Sequence, residues 1–161
     1  MVFVTAGTQL PFDRLIEAVD DIASMHPDVQ FVVQALSSRY KAKHVEVVDF
    51  LSSQEFDQYF KQANMIISHA GMGTIISALV KKKPIIVMPR QYAFNEHRND
   101  HQVGTAKQME ANGYVYVAYD SDELKTLFKN MWPDNLNIRA TISDVASDEI
   151  IQSLNDFIKS K

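Results

Sequence analysis

The chain has 161 residues, 46% of them apolar, which is material for one domain with a substantial core and no need of cross-links. It contains no cysteine, so a disulfide framework, a thiolate metal site and a catalytic thiol are excluded, and a reducing compartment, the cytoplasm, is the expected location. The formal charge of -4 gives no global attraction to nucleic acid or anionic lipid, no apolar run approaches the ~20 residues that cross a bilayer, and Met1 to Ala6 lacks the length and basic start of a signal peptide.

Val2 to Val4 form a first apolar run, closed by Thr5-Ala6-Gly7-Thr8; beyond Pro11, residues Phe12, Leu15, Ile16, Val19, Ile22 and Ala23 have helical spacing. Val29 to Ala35 and Val45 to Phe50, rich in β-branched and aromatic residues, predict two buried strands. A short helix is predicted from Ser52 or Ser53 to about Gln62, with Glu55 placed for a capping box. Met65 to Ser68 predicts a fourth strand, His69 to Gly73 a loop, Thr74 to Val80 a helix and Pro84 to Met88 a fifth strand. A polar loop over Pro89 to Arg98 then leads to a helix from Asn99 to Ala111, stopped by Asn112-Gly113, and a sixth strand over Tyr114 to Ala118. Asp120 caps the next helix with Glu123 three positions on; Trp132-Pro133-Asp134-Asn135 is a turn. From Ser147, residues Ile150, Ile151, Leu154, Phe157 and Ile158 share one helical stripe over about 147–160, read as a docking helix or as packing on the domain's own sheet.

Strands alternating with helices over short connections predict one α/β domain spanning 1–161, a Rossmann-like parallel sheet of about six strands with helices on both faces. Ligands of such sheets sit beyond the carboxyl ends of the strands, which directs attention to the loops there. In Ser68-His69-Ala70-Gly71-Met72-Gly73-Thr74 a buried strand yields to two glycines and a helix start, where main-chain N–H groups and the helix dipole suit an anion. His69 has a proton to donate to a phosphate oxygen, and Thr74 offers hydroxyl and N–H. As a bare pattern, Gly-x-Gly is equally consistent with tight-turn geometry.

This segment resembles the diphosphate-binding motif of family 28-like glycosyltransferases with the GT-B fold, and the combination His-Ala-Gly-x-Gly-Thr, then Lys-Pro, then His-Gln extends the resemblance over about residues 1–130. The chain is similar to the C-terminal half of that fold and to its split-subunit members, such as the soluble catalytic subunit of the N-glycan UDP-GlcNAc transferase and bacterial exopolysaccharide or capsule transferase subunits. The resemblance implies that Gly7, Thr8 and Gln9 lie at the cleft near the donor phosphates or acceptor, although Gly7 as a plain turn and Thr8 as a helix cap fit equally. It places Phe50 and Leu51 where the family wraps the uracil base, against an ordinary core strand for Phe50. It puts Gly71, Met72, Gly73 and Thr74 around the diphosphate, with His69 stabilising the leaving group. It assigns His101 and Gln102 to the hexose, in a polar cluster with His97 and Asn99. Ser77 departs from the family pattern, occupying the position where an acidic residue usually grips the ribose.

Two further patterns add no separate function. Lys81-Lys82-Lys83 reads as a solvated cationic helix C-terminus. His97 and His101 have the spacing of a metal pair but no evident third ligand. The implied activity is therefore a hexosyl or N-acetylhexosaminyl transfer from a UDP-sugar, inverting and independent of metal, with no other cofactor. The general base is unassigned. Because 161 residues leave no room for a second Rossmann-like domain, a membrane-anchored acceptor-binding subunit and a lipid-linked saccharide acceptor are the expected partners, at the inner face of the membrane; nucleic acid is not expected, and a homodimer is left open. The alternative reading is a non-catalytic nucleotide-sugar-binding regulatory module. A dinucleotide-dependent oxidoreductase is disfavoured, since the first loop lacks Gly-x-Gly-x-x-Gly and no acidic residue ends the second strand.

Overall fold

A computed structural model describes residues 1–142; the helix expected over 147–160 lies outside the described residues. Six strands, β1 (Val2–Thr5), β2 (Phe31–Gln34), β3 (Glu46–Val48), β4 (Met65–His69), β5 (Ile85–Met88) and β6 (Tyr116–Val117), form one sheet in the order β3-β2-β1-β4-β5-β6. Every pairing is parallel. This is the doubly wound order whose direction of winding reverses between β1 and β4, and the crevice at that reversal is the position where such sheets take ligands.

The strands dictate the layering through their two-residue period. Val2, Val4, Val33, Ile67 and Ile86 face a core completed by α1 (Asp13–Met25) and α5 (Ser121–Met131). Phe3, Val32, Ile66, Ile85 and Val87 face the opposite core, completed by α2 (Ser53–Gln62), α3 (Met72–Val80) and α4 (His101–Ala111). With helices on both faces, β1, β2 and β5 are buried from end to end, and β4 in all but its last residue, His69. No described helix is long and apolar enough to cross a membrane.

The capping signals act as expected. Ser52 and Glu55 close a complete capping box on α2, Asp120 accepts the Glu123 N–H at the start of α5, and Gly113, at φ 71°, ends α4 with its N–H on the Glu110 carbonyl. Four readings are corrected. The strand expected over Val45 to Phe50 is only Glu46–Val48, at the sheet edge, where no described residue pairs with its outer side; Phe50 is 75% exposed rather than a core residue. Helix α3 starts at Met72, not Thr74, with Gly71 as its cap residue, so Gly73 is helical. Helix α4 starts at His101, not Asn99, and a 3-10 turn over Tyr92–Phe94 interrupts the preceding loop. The lysine run is not merely solvated: Lys81 pairs with Asp57 at 2.6 Å, and Lys83 donates to the Lys61 and Ala63 carbonyls at the end of α2.

Asp20, buried on α1, fixes the β2–β3 connection by accepting from the main-chain N–H of Lys43 (3.0 Å) and His44 (2.7 Å) and from the Tyr40 hydroxyl (3.1 Å). Burial alone pushes its carboxyl up, but these bonds and the nearby His44 outweigh it and hold the group below its ordinary 3.8. Its stabilising contribution is thus present above pH 3.8 and disappears as pH falls through the lower folded value. Asp20→Asn is expected to lower stability at pH 7 by about 1–3 kcal/mol in urea denaturation, the gap to wild type closing in acid; equal midpoints at pH 7 would remove this carboxylate from the account of the connection.

Candidate functional site

The carboxyl ends of β1, β2 and β4, with the loop after β5 and the start of α4, surround a cleft of about 420 Å³. Its lining includes Gly7, Thr8, Gln9, Leu51, His69, Gly71, Thr74, His97, His101 and Gln102 from the sequence reading. Phe50, Met72, Gly73, Ser77 and Asn99 are not among the lining residues. Six further positions are: Thr5, Ala6, Leu10, Gln34, Phe56 and Arg90. None of the sixteen lining residues is an aspartate or glutamate, so in a chain of formal charge -4 the described residues put no carboxylate in the wall of this cleft.

The floor is the turn from β4 into α3. Gly71, the residue preceding the helix, provides no side-chain cap, and the first-turn N–H groups of Met72, Gly73 and Thr74 precede the intrahelical ladder, which opens with Ile75 donating to Gly71. An uncapped helix start carries a partial positive charge and unpaired donors, which together favour an anion. An ideal Cβ added at Gly73 meets nothing within 4 Å. Ser77 lies one turn further on and donates its hydroxyl to the Gly73 carbonyl at 2.8 Å, so its oxygen is engaged along its own helix.

The imidazole of His69 stands beside this floor between two glycines. A Cβ at Gly71 would lie 2.1 Å from its Cε1 and one at Gly7 3.0 Å from its Nε2, so both positions are glycine because the ring occupies the space. Gly7 has in addition a φ of 79°, which only glycine adopts freely. Thr8 is not the cap of α1, whose cap residue is Phe12. Burial, reinforced by the charge of Arg90, pushes the His69 pKa from 6.5 down to about 4, so the ring is neutral at pH 7. His97 is also lowered, first by burial and then by His101; its Nδ1 is buried without a partner among the described residues, and the two rings meet edge to face at 4.3 Å. Asn99 accepts from the His101 N–H and sits 2.6 Å from its Nδ1, closing the start of α4 rather than facing the cleft. Among the described residues no group of three His, Cys, Asp or Glu is arranged to hold a metal ion.

Arg90 holds the walls. Only 3% exposed, its guanidinium donates to the carbonyls of Ala6 and Leu10 in the β1–α1 loop, Pro11 beside them, and Glu96 on its own loop, and it lies over the Phe12 ring at 4.7 Å. Glu96 accepts a bidentate pair from Arg14 at 2.8 Å and the Gln91 N–H at 2.9 Å, fastening the loop after β5 to α1. Thr5 donates to Gln34 at 2.8 Å along the base. Gln102, assigned from sequence to the hexose, is 6% exposed and engaged with the Arg90 main chain and His69.

Fold and site together define a single Rossmann-like domain of the kind that makes up half of a GT-B glycosyltransferase. Residues 1–157 match the glycosyltransferase family 28 C-terminal domain, and the chain belongs to that family. It is 26% identical over 137 residues to the UDP-N-acetylglucosamine transferase subunit ALG13 of Yarrowia lipolytica, covering 77% of this chain and 67% of that protein. The ALG13 subunit of Candida albicans is 31% identical over 91 residues, but that match covers 56% of this chain and only 29% of the relative's length. The solution structure of an ALG13 superposes with a TM-score of 0.58 at 19% identity over 95% of this chain and 93% of that one, and MurG of Acinetobacter baumannii with 0.62 at 15% over 99% and 49%; these likenesses are of fold.

Gly71→Ala is expected to lower stability by about 1–3 kcal/mol through overlap with the imidazole, and adding His69→Ala should recover most of the loss. Additive effects in the double-mutant cycle would refute the proposed steric pairing. A second expectation follows from the lowered His69 pKa: stability gained by keeping the ring neutral is complete above pH 6.5 and lost as pH falls from there toward about 4. The urea midpoint of wild type should fall over that window more steeply than that of His69→Gln; parallel curves would count against it.

Proposed function

We propose that the chain is the donor-binding catalytic subunit of a UDP-sugar-dependent glycosyltransferase in glycan biosynthesis, with N-acetylglucosamine as the sugar to which the names of its relatives point. The observation that carries this reading is the carboxylate-free cleft at the sheet's winding reversal, floored by the uncapped start of α3 with His69 beside it. A departing diphosphate needs fixed donors and positive potential where its charge develops. The N–H groups of the first turn of α3 and the neutral imidazole N–H meet that need without a divalent cation, so metal independence belongs to the proposal. Among the lining residues Leu51 and Phe56 are apolar side chains suited to the base, and His101 is a polar one suited to the sugar.

The absence of any carboxylate from the wall also bears on acceptor activation: the reading assigns the general base, acceptor recognition and an inverting outcome to a membrane-anchored partner subunit that presents a lipid-linked saccharide at the cytoplasmic membrane face. The relatives named as transferase subunits support this division. Calorimetry of the purified chain should detect UDP and UDP-GlcNAc with undiminished affinity in excess chelator, UDP-GlcNAc exceeding UDP-glucose and UDP-galactose. Binding of none of these would end the donor-site reading; full-rate transfer to a lipid-linked acceptor by the chain alone would end the two-subunit one.

A further inference from the structure

The carboxamide of Gln102 faces the cleft wall with both ends engaged. Its Oε1 lies 3.2 Å from the main-chain nitrogen of Arg90, and its Nε2 lies 3.4 Å from Nδ1 of His69. A main-chain N–H is always a donor, so the atom facing it must be the amide oxygen, and the amide nitrogen must then face the histidine. An amide nitrogen only donates. Nδ1 therefore accepts, and in a neutral ring the proton resides on Nε2.

We propose that Gln102 is a positioning residue that, oriented by the Arg90 main chain, locks His69 in the tautomer carrying its proton on Nε2. That nitrogen faces the loop of Gly7, since a Cβ there would meet it at 3.0 Å, and so the N–H is aimed at the mouth of the β1 loop beside the uncapped start of α3. The other tautomer would set two donors against each other at Nδ1 and leave a lone pair facing the site. Gly71 and Gly7 leave room for the ring between them, and Arg90, whose main chain orients Gln102, is itself bonded to four carbonyls. The charged and titratable groups facing the ring are Arg90 at the end of β5 and His97 before α4, both of which disfavour a second proton and keep it a neutral donor. Gln102 thus serves the site through His69. The tautomer rests on this geometry alone; its use in holding a diphosphate rests on the donor site proposed above.

The test is long-range proton–nitrogen correlation on the 15N-labelled full chain, with the His69 signals identified by their loss in His69→Gln. Wild type should show a protonated Nε2 and a bare Nδ1 at pH 7. In Gln102→Glu the carboxylate offers only acceptors, so the proton should move to Nδ1 or both nitrogens should be protonated, with the titration midpoint raised by about one pH unit or more. Gln102→Leu, which is similar in size and lacks a donor, should give a mixture of tautomers and bind UDP about tenfold more weakly. A wild-type ring protonated on Nδ1 overturns the inference, as does a wild-type pattern retained in either variant. If Gln102→Glu does not fold, wild type and Gln102→Leu decide the matter. Should UDP fail to bind wild type while the tautomer responds as described, the donor-site reading falls and the positioning role stands.

Discussion

A single buried guanidinium holds this site open. Arg90 directly follows the Pro89 that terminates the β5 run, and all four of its side-chain bonds go to main-chain carbonyls, those of Ala6, Leu10, Pro11 and Glu96. Loops at the carboxyl edge of a parallel sheet have few mutual hydrogen bonds of their own, so their relative positions must be set by something reaching between them. A planar group with five donors does this where a lysine would not, because it satisfies carbonyls diverging in several directions at once. The cost of burying that charge is offset by these carbonyls, by the Phe12 face, and by the Glu96 carboxylate further out.

Arg90 also sets the electrostatics. With acidic side chains outnumbering basic ones in the chain, 20 to 16, a cleft without a carboxylate is a local inversion of the global balance. Glu96, on the loop after β5, lies outside the lining with both its oxygens bonded, to Arg14 and to the Gln91 N–H. Beside neutral polar side chains and two further histidines, the cleft is lined by the start of α3, the neutral His69 and the shielded Arg90. That is a weak positive field made mostly of fixed dipoles, the kind that stabilises a developing diphosphate without having to reorganise as the charge appears.

Much of this was legible in the residues. The β-branched runs and the helical spacing after them specify the sheet and its two cores, because burial on both faces imposes the pattern. The Ser52–Glu55 box and the Asn112-Gly113 stop are local chemistry that tertiary context does not override. The extent of β3 was not read correctly: Val45 to Phe50 has strand-forming residues, but Glu46 and Asp49 among them are the mark of an edge strand, and only Glu46–Val48 pairs. Arg90, Thr5 and Gln34 were missed as site residues although they had a signal. Each is the polar residue at or just beyond the end of an apolar strand, which in a parallel sheet is the edge where ligands bind. Gln102 was placed at the site, but its engagement with the Arg90 main chain and His69 was not legible, since a sequence does not reveal which side chains meet.

The choice of a neutral histidine, rather than a lysine, beside the helix start follows from the same constraints. A cation at that position would have to be buried next to Arg90 with no carboxylate to compensate it, which is costly in so dry a setting. A neutral N–H held in a fixed direction adds its increment only where an oxygen approaches along that direction. Its value therefore lies in orientation, and orientation here is secured by two glycines that leave room for the ring and one carboxamide that decides which nitrogen bears the proton.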